Sequence, residues 1–216
     1  MNTLLENTAK KALALVLFLG IAASVSTPLY AYIAQYKEQY YRLFHLHFIQ
    51  YPDDTLENIY FLEKAVKADF ANPLYAIALI ETKEEWEKYR NLFMMHLNLK
   101  LIEQYLLLGN KWNKRNAYFY NAPWKDTNLQ ALETAERCFR SALSYWQDAK
   151  SYAQKAADKK FRFMNLERVQ AWEDESERII NKDVQRPLDY EDIIGRELAL
   201  LQSVRERFQL MDENTY

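Results

Sequence analysis

The sequence predicts an all-α protein with an apolar amino-terminal segment. Only 3 Gly and 5 Pro interrupt the 216 residues, too few for the tight turns of a hairpin-rich fold. Apolar residues recur at three- and four-residue steps, as they do on one face of a helix. No stretch shows the alternation typical of a half-buried strand. Because half of the residues are hydrophobic, we expect one domain with a buried core, plus an appendage.

The amino-terminal segment, residues 1–36, is predicted to be a signal anchor. Lys10 and Lys11 precede an uncharged stretch at 12–34, which at about 1.5 Å per residue can cross a hydrocarbon core about 30 Å thick. Lysines on the amino side keep that end in the cytoplasm, so the rest of the chain is expected in the periplasm as part of a single-pass inner-membrane protein. The candidate membrane residues are Ala12, Leu15, Phe18, Leu19 and Ile21.

A cleaved signal peptide is the alternative interpretation of this segment. Ser24, Ser26, Thr27 and Pro28 dilute the apolar run, and its strongest part is short. Both interpretations export the remainder of the chain. They differ in whether the mature protein is held at the membrane or is soluble in the periplasm.

Capping patterns predict where the first helices of the body begin. We expect a connecting helix over 37–53 and then a longer helix from Asp54, because Asp54 and Glu57 form a capping-box pattern. Asn72 followed by Pro73 predicts a short helix that reaches about residue 80.

Two long helices and two shorter ones are expected after that point. Thr82 and Glu85 form a second capping-box pattern, which starts a helix that runs to about residue 120. A break at 121–124 ends it, and Asp126 or Thr127 starts the next helix, which runs to about residue 157. The remaining predicted helices are 160–182 and 190–211, the latter opened by Asp189.

Part of a repeat motif lies within residues 54–160. One helix has the order aromatic, Leu, Gly, aromatic at the spacing of a tetratricopeptide repeat: Tyr105, Leu108, Gly109 and Trp112. The next helix has the small, aromatic, small order of the repeat's second helix: Ala135, Phe139 and Ala142. Over this range the chain therefore resembles tetratricopeptide-repeat proteins, and the resemblance implies stacked helix pairs that bury each other's apolar faces. A generic helical bundle is the alternative.

The chain also departs from that repeat. Gly109 and Ala135 lie 26 positions apart, farther than the repeat allows, which implies one lengthened helical pair that projects from the stack. The final segment, 161–216, is expected to form capping helices. Self-association through the apolar side of its last helix is the alternative use of that segment.

Aromatic side chains are dense at the predicted turn between the two long helices. The candidate partner-binding residues there are Tyr118, Phe119, Tyr120 and Trp124. Exposed aromatic anchors dominate many protein interfaces, so this turn is predicted to dock a partner; packing on neighbouring helices is the alternative.

Composition and motifs argue against most chemistry. A net charge of −2 provides no basic excess for nucleic acid, and the single Cys138 excludes an internal disulfide. On a helix, His45 and His47 would point about 200° apart and could not share a metal. His96 is expected to be a satisfied residue on a helix face.

The sequence therefore predicts a non-enzymatic scaffold without catalytic residues, metal or cofactor. A lysine-bearing anchor followed by degenerate, Tyr-rich repeats is similar to the membrane-anchored periplasmic collar proteins of spirochaete flagellar motors. That resemblance implies a place in a multiprotein envelope or motor complex, with other proteins and the membrane as partners and no nucleic acid. The alternatives are a soluble periplasmic adaptor for envelope biogenesis and an exported helical enzyme.

Overall fold

The computed structural model describes residues 33–114 and 124–212, and the chain divides into two compact units, Met1–Ile33 and Ala34–Tyr216. The described part of the second unit contains six α-helices: α1 (Lys37–Gln50), α2 (Thr55–Lys67), α3 (Lys83–Trp112), α4 (Lys125–Ala156), α5 (Gln170–Ile180) and α6 (Tyr190–Leu210). Short 3-10 turns occupy Pro73–Tyr75 and Lys159–Phe161. These ranges contain no strand beyond an isolated bridge between Tyr36 and Asp69, so the predicted all-α class is confirmed for them.

The predicted membrane segment belongs to the other unit. Its candidate residues, Ala12, Leu15, Phe18, Leu19 and Ile21, lie outside the described residues. Across 33–114 and 124–212, no helix has both the length and the apolar character needed to cross a bilayer.

Helix α3 is the centre of the fold. It has 30 residues, and nearly every side chain from Leu92 to Ile102 is buried, which is the pattern of a helix surrounded on all sides. Helices α2 and α4 pack along it, α1 covers α2, and α5 and α6 pack against α4. The core therefore lies around α3 and along its contact with α4.

Several predicted helix starts are present as hydrogen-bonded caps. Glu85 N donates to Thr82 Oγ1 at 3.1 Å and Thr82 N donates to Glu85 Oε2 at 2.9 Å, which completes the predicted capping box of α3. The side chains of Asp54 and Asp189 each accept a backbone N–H from the first turn of the helix that follows. These starts were predictable because each cap and its partner lie within three residues.

Other boundaries differ from the prediction. The short helix expected after Asn72 is a single 3-10 turn, because Asn72 caps only Leu74 N at 3.0 Å. Helix α4 begins at Lys125 after Trp124, so neither Asp126 nor Thr127 is its N-cap. Helix α3 ends at Trp112, before the predicted end near residue 120.

The helix predicted over 160–182 is also shorter than expected. Only Gln170–Ile180 is helical, and an irregular stretch precedes it. Asp158 accepts the N–H of Lys160 at 3.0 Å and closes a 3-10 turn, while Arg168 adopts a left-handed φ of 71° that no α-helix can contain.

The start of α1 is tied to the segment after α2 by two buried charged residues. Lys37 Nζ donates to the carbonyl oxygens of Ala65 and Val66 at 3.1 and 2.5 Å, and burial lowers the pKa of this ammonium. Glu38 Oε2 accepts the N–H of Ala71 at 2.9 Å. These bonds hold residues 36–38 against the body of the protein.

We predict that the Thr82→Ala substitution destabilises the protein by about 1 kcal/mol, because it removes the acceptor at the start of α3. The measurement is urea unfolding followed by circular dichroism. Thr134→Ala is the matched control: Thr134 Oγ1 only donates to the carbonyl of Gln130 within α4, and its loss is expected to have little effect. Equal effects of the two substitutions would contradict the importance of the cap.

Candidate functional site

The α3–α4 pair gives the protein two separate ends. Tyr105 stacks on Tyr145 and Gly109 meets Phe139, so the two helices run antiparallel. A helix of 30 residues is about 45 Å long. We call the end at which α3 begins the N-end, and the end at which α3 finishes the C-end.

Gly109 lets the two helices approach closely. A Cβ atom on this residue would lie 2.5 Å from Cε1 of Phe139, closer than side chains tolerate. Phe139 is fully buried, as are Ala135 and Ala142 on the same face of α4. The structure thus brings together four of the seven residues predicted to form repeat packing.

The other three predicted packing residues lie elsewhere along α3. Leu108 is half-buried against the core, whereas Trp112 is 43% exposed. Tyr105 donates its hydroxyl to Glu63 Oε1 at 2.7 Å, and Tyr145 donates to the same oxygen at 3.2 Å. Burial and this carboxylate raise the pKa of Tyr105, and they raise the pKa of Tyr145 to about 12. Glu63 therefore joins α2 to the pair.

The C-end carries a cluster of exposed large apolar side chains. Trp112 and Trp124 are 43% and 53% exposed at facing ends of α3 and α4. The turn between α1 and α2 is held beside them, because Lys111 Nζ donates to Thr55 Oγ1 at 3.4 Å. The other predicted partner-binding residues, Tyr118, Phe119 and Tyr120, lie outside the described residues. The exposed apolar residues of the α1–α2 turn are Tyr51 and Leu56.

The N-end holds a groove of about 880 Å³ between the segment after α2 and the end of α4. Cations lie over its aromatic rings: Arg90 is 5.0 Å from the ring centre of Phe70, and Lys155 is 4.9 Å from that of Tyr152. Trp86 meets Phe70 edge to face at 5.6 Å. An aromatic groove with cations along it accommodates an anionic or amphipathic ligand.

The arrangement closest to catalytic chemistry is a Tyr–His–Glu cluster beneath the surface. His96 Nδ1 lies 2.7 Å from Glu175 Oε2, and His96 Nε2 lies 2.9 Å from the hydroxyl of Tyr41. A carboxylate only accepts, so neutral His96 donates to Glu175 and accepts from Tyr41. Trp172 stacks on the imidazole at 4.8 Å between ring centres.

This cluster is built to hold helices together. His96 is only 5% exposed, and both of its ring nitrogens are already bonded, so a substrate cannot use it as a general base. Its partners belong to α1 and α5, 55 and 79 positions away, and no local sequence pattern could have identified them. Within the described ranges, no group of three His, Cys, Asp or Glu side chains could hold a metal ion.

We predict that Gly109→Ala destabilises the protein by about 1–3 kcal/mol, because the new methyl group overpacks against Phe139. Gly195→Ala in α6 is the matched control: nothing lies within 4 Å of the added Cβ, so helix propensity alone should stabilise the protein by about 0.5–1 kcal/mol. Thermal unfolding of both variants provides the measurement. Stabilisation by both would show that the close approach is absent in solution.

We also predict a loss of stability in alkali. Burial, aided by nearby carboxylates, raises the pKa of Tyr41, Tyr145 and Tyr190 from the ordinary value of 10 to about 12. The folded state keeps these protons longer than the unfolded state, so their stabilisation is complete below pH 10 and is lost as pH rises from 10 to 12.

The measurement combines tyrosinate absorbance with urea midpoints across that pH range. Tyr41→Phe should reduce the dependence of stability on pH between 10 and 12. Ionisation of all tyrosines near pH 10 in the folded protein would contradict the prediction.

Comparison with known proteins gives one match. No curated protein and no solved structure matches the chain significantly. One family, described as "Domain of unknown function (DUF8513)", matches residues 84–211, more than half of the chain and most of the helical body from α3 to α6. The chain therefore belongs to the DUF8513 family.

Proposed function

We propose that this protein is a non-enzymatic scaffold. In this proposal the 12–34 segment anchors it in the inner membrane, its helical body faces the periplasm, and it takes part in a multiprotein envelope assembly. The flagellar motor collar is the candidate assembly, on the strength of the sequence resemblance described above. The alternative topology is a soluble periplasmic adaptor with the same binding surface.

The observation that carries the proposal is the exposed apolar cluster at the C-end. Trp112 and Trp124 are held on the ends of two long, tightly packed helices, so they are presented to a partner without a large loss of conformational freedom. Tryptophan is enriched among the residues that dominate binding energy in protein interfaces. Rigid presentation of such anchors supports a binding role.

The chemistry of the interior supports the same conclusion. The groups that resemble a catalytic set, Tyr41, His96 and Glu175, bond one another and lie under the surface. Lys88 is likewise committed, with its Nζ 2.5 Å from Glu173 Oε1 and a hydrogen bond to the carbonyl of Met164. These groups act by fixing α1, α3 and α5 to each other.

The test is crosslinking in cells that make the protein, followed by mass spectrometry. We expect the same few neighbouring proteins in repeated experiments and their loss in the Trp112→Ala, Trp124→Ala double variant, because each truncated anchor costs about 2 kcal/mol or more of binding. Phe163→Ala is the matched control: it removes an exposed aromatic residue at the N-end and should leave these crosslinks intact.

Thermal unfolding of both purified variants checks that they are folded. The scaffold proposal is wrong if the unmodified protein returns no recurrent neighbours. The assignment of the surface is wrong if the double variant is folded and keeps every crosslink.

A further inference from the structure

The N-end of the α3–α4 pair exposes large apolar side chains on two separate loops. Leu74, Tyr75 and Leu79, on the segment between α2 and α3, are 86%, 76% and 60% exposed. Phe163, between α4 and α5, is 94% exposed. Single exposed apolar residues are common on soluble proteins, but four of them at one end of a molecule call for a covering partner.

The first loop is held in a fixed conformation. Tyr75 N donates to the carbonyl of Asn72 at 2.8 Å, which closes the turn, and Ile77 N donates to the hydroxyl of Tyr89 at 3.2 Å. Ala78 is buried at 4% exposure. The loop is therefore pinned on both sides of its apolar residues, which cannot fold back into the core.

The second loop is attached to the same part of α3. Lys160 Nζ pairs with Glu87 at 2.7 Å, and Lys88 donates to the carbonyl of Met164. Phe161 is buried at 1% exposure and anchors the turn, whereas Phe163 two residues later has no such cover. Both loops thus contact the first turns of α3 and lie at the same end of the pair.

The chain leaves its apolar amino-terminal stretch at this end. Tyr36 pairs with Asp69, and Glu38 accepts the N–H of Ala71, three residues before Leu74. The uncharged stretch at 12–34 stops two residues before Tyr36, a separation that extended chain spans in about 7 Å. The exposed residues therefore lie near the point where the stretch joins the body.

The charges around these loops suit the boundary region of a bilayer. Lys159, Lys160 and Arg162 flank Phe163, and Arg162 lies 5.9 Å from its ring centre. Basic side chains beside exposed aromatic and aliphatic ones are typical of segments that lie at a membrane surface. Carboxylates are present as well at Glu81, Glu84 and Asp158, so apolar insertion and not net charge would supply the attraction.

We propose that the N-end lies against the phospholipid bilayer, with Leu74, Tyr75, Leu79 and Phe163 inserted at the depth of the headgroups. This inference rests on the proposed membrane anchor and extends it: the body is held to the surface by two loops in addition to the anchor. The C-end, about 45 Å away along α3, then points away from the bilayer.

The test uses the full chain with a Cys138→Ala background and one new cysteine in each variant, labelled with an environment-sensitive fluorophore. Leu74→Cys and Phe163→Cys report on the N-end. Leu210→Cys is the matched control, because Leu210 is 84% exposed, nearly as much as Leu74, but lies at the end of α6 beside the start of α4. The protein is reconstituted into phosphatidylcholine vesicles that carry a headgroup-depth quencher.

We expect a blue shift and strong quenching of the labels at 74 and 163, and neither change at 210. Quenching should persist at high salt, because screening weakens charge attraction and leaves apolar insertion intact. Tyr75→Cys provides an independent third reporter on the N-end.

The outcomes separate this inference from the anchor. Flotation with the vesicles but equal emission and quenching at 74, 163 and 210 overturns the surface contact and keeps the anchor. Failure to float overturns the anchor and this inference together. Crosslinking of position 74 to a protein in cells, without quenching in vesicles, overturns the lipid contact in favour of a protein partner.

Discussion

The close contact between α3 and α4 is the constraint on which the rest of this structure depends. Phe139 occupies the space that a side chain at position 109 would fill, so two long helices approach closely where most residue pairs would hold them apart. Glycine inside a helix costs about 1 kcal/mol in propensity, and the buried aromatic contact offsets that cost. The other helices then pack on a surface that this pair defines, which explains why α3 is buried on every side.

Polar side chains on α3 specify how those helices are placed. His96 bonds residues from α1 and α5, Lys88 pairs with Glu173 of α5, and Tyr105 bonds Glu63 of α2. Each buried group would carry a desolvation cost if its partner moved, so the arrangement penalises every alternative packing. The same groups that look suited to catalysis are for this reason unavailable to a substrate, and the molecule acts through its surfaces.

Local signals in the sequence identified the helix class and most helix starts, since a cap such as Thr82 and its partner Glu85 are three residues apart. The sequence also marked Gly109 and Phe139, which share a motif. It did not show the end of the regular structure before α5, because Arg168 adopts a left-handed backbone conformation that its identity does not require. Nor could it reveal the partners of His96 or the exposure of Leu74 and Phe163, which depend on contacts between distant segments.

The length of α3 has a consequence for how this family can vary. One residue inserted in a helix rotates everything beyond it by about 100° and shifts it by about 1.5 Å. Such an insertion between Lys88 and Gly109 would turn the glycine away from Phe139 while leaving the contacts of Lys88 and His96 in register. Longer or shorter relatives should therefore differ in α3 by whole pairs of turns, about seven residues, matched by an equal change in α4. The spacing between the two ends of the protein would then change in steps of about 10 Å.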